Sequence, residues 1–101
     1  MADYIVLDRD GVINSTEKKN GYIGLVKDFK WIKGSKRTIK FLKSKNYKVV
    51  IVTNQSGIAR GYFSIKDTYK VHNYIKEELK KIGIFHSTIE IENGREKCSD
   101  Q

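Results

Sequence analysis

At 101 residues the chain has room for one domain, spanning 1–101, with one modest core, and no apolar run approaches the length that crosses a bilayer. Its 20 Lys and Arg against 12 Asp and Glu leave a net charge of +8, but the lysines are scattered over prospective helix faces and turns and do not interleave with aromatics; nucleic acid is therefore not the expected partner, and a phosphorylated small molecule is. The single cysteine, Cys98, excludes an internal disulfide and fits a reducing cytoplasm, and Met1-Ala2-Asp3 opens no basic-then-apolar leader, so neither secretion nor a membrane is expected.

Tyr4-Ile5-Val6-Leu7 is a short apolar run of the kind that makes a buried strand, and it leads straight into Asp8-Arg9-Asp10-Gly11-Val12-Ile13-Asn14. Two carboxylates two positions apart share one face of a continuing strand, and Gly11 allows a sharp turn at its end. Carboxylates gathered so closely resist joint ionisation unless a cation lies between them, and a hard cation such as Mg²⁺ takes oxygen ligands of this kind. One Asp can then attack as a nucleophile while the other carries protons. A strand end followed by an Asp-Gly turn explains the same residues without chemistry. Arg9 should project away from the site by strand alternation, and no role is assigned to it.

Residues 15–33 show no period and include Gly21 and Gly24, which predicts a long loop, with Trp31 and Ile32 at its end packed as core. A helix is predicted from Ser35, its N-cap, to about Asn46, with Ile39 and Leu42 inward and Lys36, Arg37, Lys40, Lys43 and Lys45 in water. A second buried strand covers 48–53 and ends in Thr53-Asn54-Gln55-Ser56-Gly57-Ile58-Ala59-Arg60-Gly61, within a loop over 54–63. Ser64-Ile65-Lys66-Asp67 reads as a capping box with the shorter Asp in place of Glu. The helix it opens should run to about Ile82 and present Ile65, Tyr69, His72, Ile75, Leu79 and Ile82 inward, with His72 packed rather than catalytic and Gly83 ending it. Residues 87–91 predict a third strand. Alternating strands and helices imply a parallel sheet with right-handed crossovers: an α/β, three-layer, Rossmann-like fold in truncated or minimal form. Ligands of such sheets bind beyond the carboxyl ends of the strands, which puts Asp8–Asp10 and Thr53–Ser56 at one site.

Leu7–Asn14 (LDRDGVIN) and Val52–Phe63 (VTNQSGIARGYF) together resemble the haloacid dehalogenase superfamily of aspartate-nucleophile phosphotransferases. They look most like its heptose bisphosphate phosphatase and histidinol-phosphate phosphatase branch, in matching order and spacing over roughly the first nine-tenths of the chain. The resemblance implies Mg²⁺-dependent hydrolysis of a phosphorylated sugar or related metabolite, in which Asp8 takes the phosphoryl group and Asp10 moves the protons. It implies that Mg²⁺ is held by Asp8 and the main-chain carbonyl of Asp10. Thr53 would donate its hydroxyl to a phosphoryl oxygen, and N–H groups around Gly11 and Asn54 would donate where charge develops. Asn54, Gln55 and Ser56, with Asn20-Gly21-Tyr22 from the first loop, would contact phosphate or substrate, and Arg60 would meet a second anionic group.

The same resemblance calls for a later lysine, a later acidic metal ligand and, in the heptose branch, a Cys/His zinc loop. From Glu90 the chain reads EIENGREKCSDQ, without the Cys-x-His and Cys-x-Cys pairs, so no structural zinc is expected; Lys97 and Asp100 match by residue type alone. The sheet is expected to lack later strands and to leave an edge that a homodimer can cover. Three readings follow: a sugar-phosphate phosphatase that is weak or inactive as this short chain, a polynucleotide 3′-phosphatase, or a non-catalytic protein that binds a phospho-ligand or assembles with another chain. Salt-sensitive DNA binding would favour the second, and dimerisation without turnover the third.

Overall fold

A computed structural model of the chain describes residues 3–18, 21–53, 56–85 and 89–93. The elements run β1 (Tyr4–Asp8), α1 (Ser35–Ser44), β2 (Lys48–Thr53), α2 (Ser56–Ala59), α3 (Ile65–Lys80) and β3 (Ile89–Asn93), with a short 3-10 turn at Val26–Asp28 between β1 and α1. The three strands form one parallel sheet in the order β1-β2-β3. Tyr4 to Asp8 pair with Lys48 to Val52, and Val49 to Thr53 pair with Ile89 to Asn93, so all three strands end on the same side.

Strand alternation divides the sheet into two unlike faces. Ile5 and Leu7 of β1 lie level with Val49 and Ile51 of β2; Val49 and Ile51 are buried in the core, and Leu7 packs against it partly buried. Ile39 from α1 and Val71, Ile75 and Leu79 from α3 join Val49 and Ile51 in a single buried cluster, which places both helices on that face. On the other face Tyr4 and Val6 remain 61% and 62% exposed. The first strand is therefore buried on one side only, not throughout as its apolar run suggests. The parallel α/β architecture expected from the sequence is present, and the described residues build its sheet and one helix layer.

Local chemistry sets the helix ends. Gly34, at φ +89°, is the N-cap of α1 in the left-handed conformation that glycine adopts without penalty. Ser35, expected as that cap, is instead the first helical residue, and its hydroxyl donates to the carbonyl of Ile13 at 3.2 Å. The helix stops at Ser44, two residues short of the expected Asn46, which has itself turned to a positive φ of 69°. The capping box of α3 is formed in both directions: Asp67 N–H donates to Ser64 Oγ at 3.1 Å, and Ser64 N–H to Asp67 Oδ2 at 3.0 Å. The backbone bond from Ser64 holds the Asp67 carboxyl below the usual carboxylate range. At its other end Ile84 N–H reaches Leu79 C=O and Gly83 N–H reaches Lys80 C=O, with Gly83 at φ +86°, the left-handed cap pattern that the glycine predicted.

Two expectations need correction. The inward stripe of α3 is Thr68, Val71, His72, Ile75 and Leu79, while Tyr69 is 54% exposed; the stripe turned one position because Thr68 and Val71 face the core. The stretch 15–33 is folded rather than a bare loop. Ile23 and Phe29 are buried in the core, and Ser15 N–H with Lys30 C=O and Ile32 N–H with Ile13 C=O close its two ends against the first turn. Trp31 packs edge-on against Phe29 at 5.2 Å. The third strand is described over 89–93; of the expected 87–91, residues 87 and 88 lie outside the described residues. Among the described residues no helix is long and apolar enough to cross a membrane.

Candidate active site

A cleft of about 260 Å³ opens where β1 and β2 end, lined by Asp8, Arg9, Asp10, Val52 and Thr53. Parallel pairing carries both strands to this point together: Asp8 lies opposite Val52, and Arg9 N–H donates to Val52 C=O at 2.8 Å. Beyond it the chain folds into a tight turn in which the carbonyl of Arg9 receives the N–H groups of Ile13 (2.8 Å) and Asn14 (3.1 Å). Gly11, at φ +87°, makes that turn possible. Its own N–H is committed to the Asn14 carbonyl at 2.8 Å, so the donor expected at Gly11 is used inside the turn.

Asp8 is exposed at the mouth of the cleft. Asp10 is held on both carboxylate oxygens. Oδ1 accepts from Arg9 Nη2 at 2.8 Å, from Arg9 Nε at 3.2 Å and from Asn14 Nδ2 at 3.0 Å. Oδ2 accepts from the Thr53 hydroxyl at 3.3 Å. Thr53, which the resemblance assigns to a phosphoryl oxygen, thus points its hydroxyl at Asp10. The two acidic side chains and Thr53 share one cleft, but they differ in freedom: one carboxylate faces outward and the other is fixed.

Arg9 fixes it, and sequence reasoning missed this residue. Its side chain is fully buried because alternation continues through it: Arg9 follows Ile5 and Leu7 onto the helix-covered face, and from there its guanidinium turns back to Asp10 instead of leaving the site. Besides Asp10, the guanidinium donates to Asn14 Oδ1 at 3.1 Å and to the Ile23 carbonyl at 2.6 Å, and it lies 3.4 Å from His72 Nε2. Burial pushes Arg9 below its ordinary pKa, opposed by the charge and hydrogen bonds of Asp10. The available signal was an arginine flanked on both sides by carboxylates.

His72 is packed, as its place on the α3 stripe implied. Burial, reinforced by the charges of Arg9 and Lys76 and opposed by Asp10, lowers its pKa from 6.5 to about 4. The ring is therefore neutral at pH 7, and Nε2 can accept from Arg9. The unfolded chain takes up this proton near pH 6.5 and the folded chain only near 4, so acid favours unfolding between those values. The neutral histidine should contribute stability above pH 6.5 that falls away by roughly 3 kcal/mol as the pH drops to 4. His72→Gln, which keeps an acceptor without a titrating ring, should flatten that part of the pH dependence in urea unfolding; an unchanged profile would contradict it.

The remaining expected residues gather elsewhere. Tyr22 and Arg60 meet each other: Arg60 Cζ lies 5.9 Å from the Tyr22 ring centre, and Tyr62 adds a tilted ring at 5.1 Å from Tyr22. Gly21 is exposed at φ +74°. Backbone for Ser56 opens α2, a four-residue helix inside the stretch expected to be loop. Asn20, Asn54 and Gln55 lie outside the described residues, as do Lys97, Cys98 and Asp100.

Residues 4–92 match the polynucleotide kinase 3 phosphatase family. The chain belongs to that family. It falls within the haloacid dehalogenase-like superfamily, near the heptose bisphosphate phosphatase branch. A D-glycero-beta-D-manno-heptose-1,7-bisphosphate 7-phosphatase of Helicobacter pylori is 43% identical over 77 residues, covering 76% of this chain and 43% of that one. Another, from Pasteurella multocida, is 36% identical over 105 residues, covering 99% of this chain and 55% of its own length. The crystal structure of D,D-heptose 1,7-bisphosphate phosphatase from B. bronchiseptica, complexed with magnesium and phosphate, superposes with a TM-score of 0.76 at 30% identity, over 88% of this chain and 49% of that one. This member of the family therefore spans about half the length of the relatives it matches.

Among the described residues no three His, Cys, Asp or Glu side chains cluster as a metal site. The cleft nevertheless fits a hard divalent cation: its donors are carboxylate and carbonyl oxygens, and the Asp8 carboxylate faces the opening.

Proposed function

We propose that this site hydrolyses phosphate monoesters of small phosphorylated sugars by way of an aspartyl-phosphate, with Mg²⁺ as cofactor, in the cytoplasm. The supporting observation is the division of labour between the carboxylates, Asp8 open in the cleft and Asp10 fixed beside it by Arg9, Asn14 and Thr53. Asp8 would attack phosphorus through its carboxylate, a nucleophile that needs no separate base. Asp10, through Oδ2, would give a proton to the departing sugar oxygen and later take one from the water that cleaves the acyl phosphate. Thr53 would turn its hydroxyl from Oδ2 to a phosphoryl oxygen when Asp10 is protonated. Mg²⁺, held by Asp8 and the Asp10 main chain, would supply the positive charge that lets an anionic nucleophile approach an anionic ester.

The surrounding residues would bind rather than react. Asn54, Gln55 and Ser56 follow Thr53 directly and would contact the phosphoryl group. Gly21, Tyr22 and Arg60, with Asn20 beside them, would take the far end of the substrate, where Arg60 can pair with a second anionic group. A homodimer through the open β1 edge would be one way for this short chain to complete its sheet.

A panel of sugar phosphates, an aryl phosphate and a 3′-phosphorylated oligonucleotide, each with and without Mg²⁺, tests the proposal. Mg²⁺-dependent release from the sugar phosphates is expected. The family match favours the oligonucleotide as a second reading, and release from it alone would replace the sugar-phosphate reading. No release from the folded chain on any substrate would leave a phospho-ligand binding protein and overturn the enzyme.

A further inference from the structure

The loops after β1 and β2 are joined by one side chain that has no part in the chemistry above. Phe63 is 9% exposed, and its ring lies against two glycines from separate loops. A Cβ on Gly24 would fall on the ring itself, overlapping Cγ and both Cδ atoms. A Cβ on Gly57 would fall on Cε1 and stand 2.7 Å from Cζ. Each glycine is thus the only residue type that lets its backbone touch the ring face.

Both ends of this contact lead to the cleft. Gly24 follows Ile23, whose carbonyl holds the Arg9 guanidinium at 2.6 Å, and the same Nη2 holds Asp10 at 2.8 Å. Gly57 lies in α2, four residues after Thr53. Tyr62 N–H donates to Gly57 C=O at 2.9 Å and Gly61 N–H to Ile58 C=O at 3.1 Å, a turn that brings the chain back so that Phe63 reaches Gly57. The same turn sets Tyr62 against Tyr22 at 5.1 Å.

We infer that Phe63 is a positioning residue: its ring, seated between Gly24 and Gly57, sets the separation of the Asp10-bearing loop from the Thr53-bearing loop. This rests on the proposed phosphate site. A rigid aromatic plate suits the task better than an aliphatic side chain, because it has a fixed thickness and its contacts are backbone atoms that cannot change rotamer. Small errors in such a separation are costly when two loops must grip one phosphoryl group.

The test uses the whole chain with inorganic phosphate and Mg²⁺, following the amide signals of Gly11 and Thr53, beside urea unfolding of each variant. Phe63→Leu keeps an apolar side chain without the plate and should weaken phosphate about tenfold or more while the chain stays folded. Gly57→Ala should do the same in the wild-type background and add little to Phe63→Leu. Gly24→Ala meets the root of the ring and should be the more damaging glycine change; if it unfolds the chain, Gly57→Ala carries the comparison. Phosphate affinity kept within about twofold in Phe63→Leu, with stability reduced, would make Phe63 a core residue only and overturn the inference. If the wild-type chain binds no phosphate, the proposed function fails separately. The unfolding midpoints then decide: Gly57→Ala and Phe63→Leu must be non-additive, and additive effects would refute the contact.

Discussion

Arg9→Leu is expected to cost the fold about 3 kcal/mol, the low end of the range for breaking a buried ion pair by removing one partner, because the Asp10 side chain left behind is 30% exposed. Stabilities of small domains total only about 5–15 kcal/mol, so this one change should remove a large share of the stability at 25 °C. The size follows from what would be stranded. Asp10 would lose its charged partner, and the Ile23 carbonyl and Asn14 Oδ1 would lose their donors, all beneath a side chain with no exposure. Leu fills much of the volume but donates nothing. Arg9→Lys retains the charge yet lacks the planar fork that spans Asp10, Asn14 and Ile23 at once, so it should recover only part of the loss. Urea unfolding of the three proteins checks this, and an Arg9→Leu midpoint equal to wild type would contradict the geometry.

Asp10→Asn should lose rate heavily and also lose stability, because it removes the counter-charge of the fully buried Arg9 guanidinium. The donors on Oδ1, Arg9 and Asn14 Nδ2, would select the amide oxygen for that position. The amide nitrogen would then sit where Oδ2 faces Thr53, presenting hydrogens where a proton must be accepted. Removing a placed acid and base of this kind lowers rates by about 10²–10⁴-fold. Arg9 keeps an acceptor in the amide oxygen, so the unfolding midpoint should fall less than in Arg9→Leu, which strands Asp10, Asn14 Oδ1 and the Ile23 carbonyl together. Single-turnover rates beside urea curves separate the two effects; a rate within a few-fold of wild type would remove Asp10 from the proton transfers.

The parts of this architecture that follow from local rules could be read from the sequence. The apolar runs at 4–7 and 48–53 gave two parallel strands, Ser64 and Asp67 gave a capping box, and Gly83 gave a helix stop, because each is decided by a few adjacent residues. The gathering of Asp8, Asp10 and Thr53 was also legible, since parallel strands must end together. What could not be read depended on contacts between distant segments. Arg9 was expected to project away from the site by strand alternation; it does follow Leu7 to the inner face, where His72, 63 residues away, packs beside it, but its long side chain reaches back to Asp10. The stretch 15–33 has no period because it is held by its ends and by isolated anchors, Ile23 and Phe29, not by one face. Gly24 and Gly57 looked like loop residues; the reason for each is the ring of Phe63, visible only in three dimensions.

The Arg9 cluster also explains why the two carboxylates need not compete. Asp10 is tied to a buried guanidinium, which leaves Asp8 as the exposed carboxyl group of the cleft. An electrostatic arrangement of that kind can separate nucleophile from proton carrier within a three-residue span.

The most direct test of the aspartyl-phosphate reading is to look for the covalent species. The chain would be mixed with a labelled sugar phosphate and Mg²⁺, quenched in acid and mapped by peptide. Label on the peptide carrying Asp8, absent from Asp8→Asn, is the predicted result. Label on another residue, or phosphate release that persists in Asp8→Asn, would contradict it.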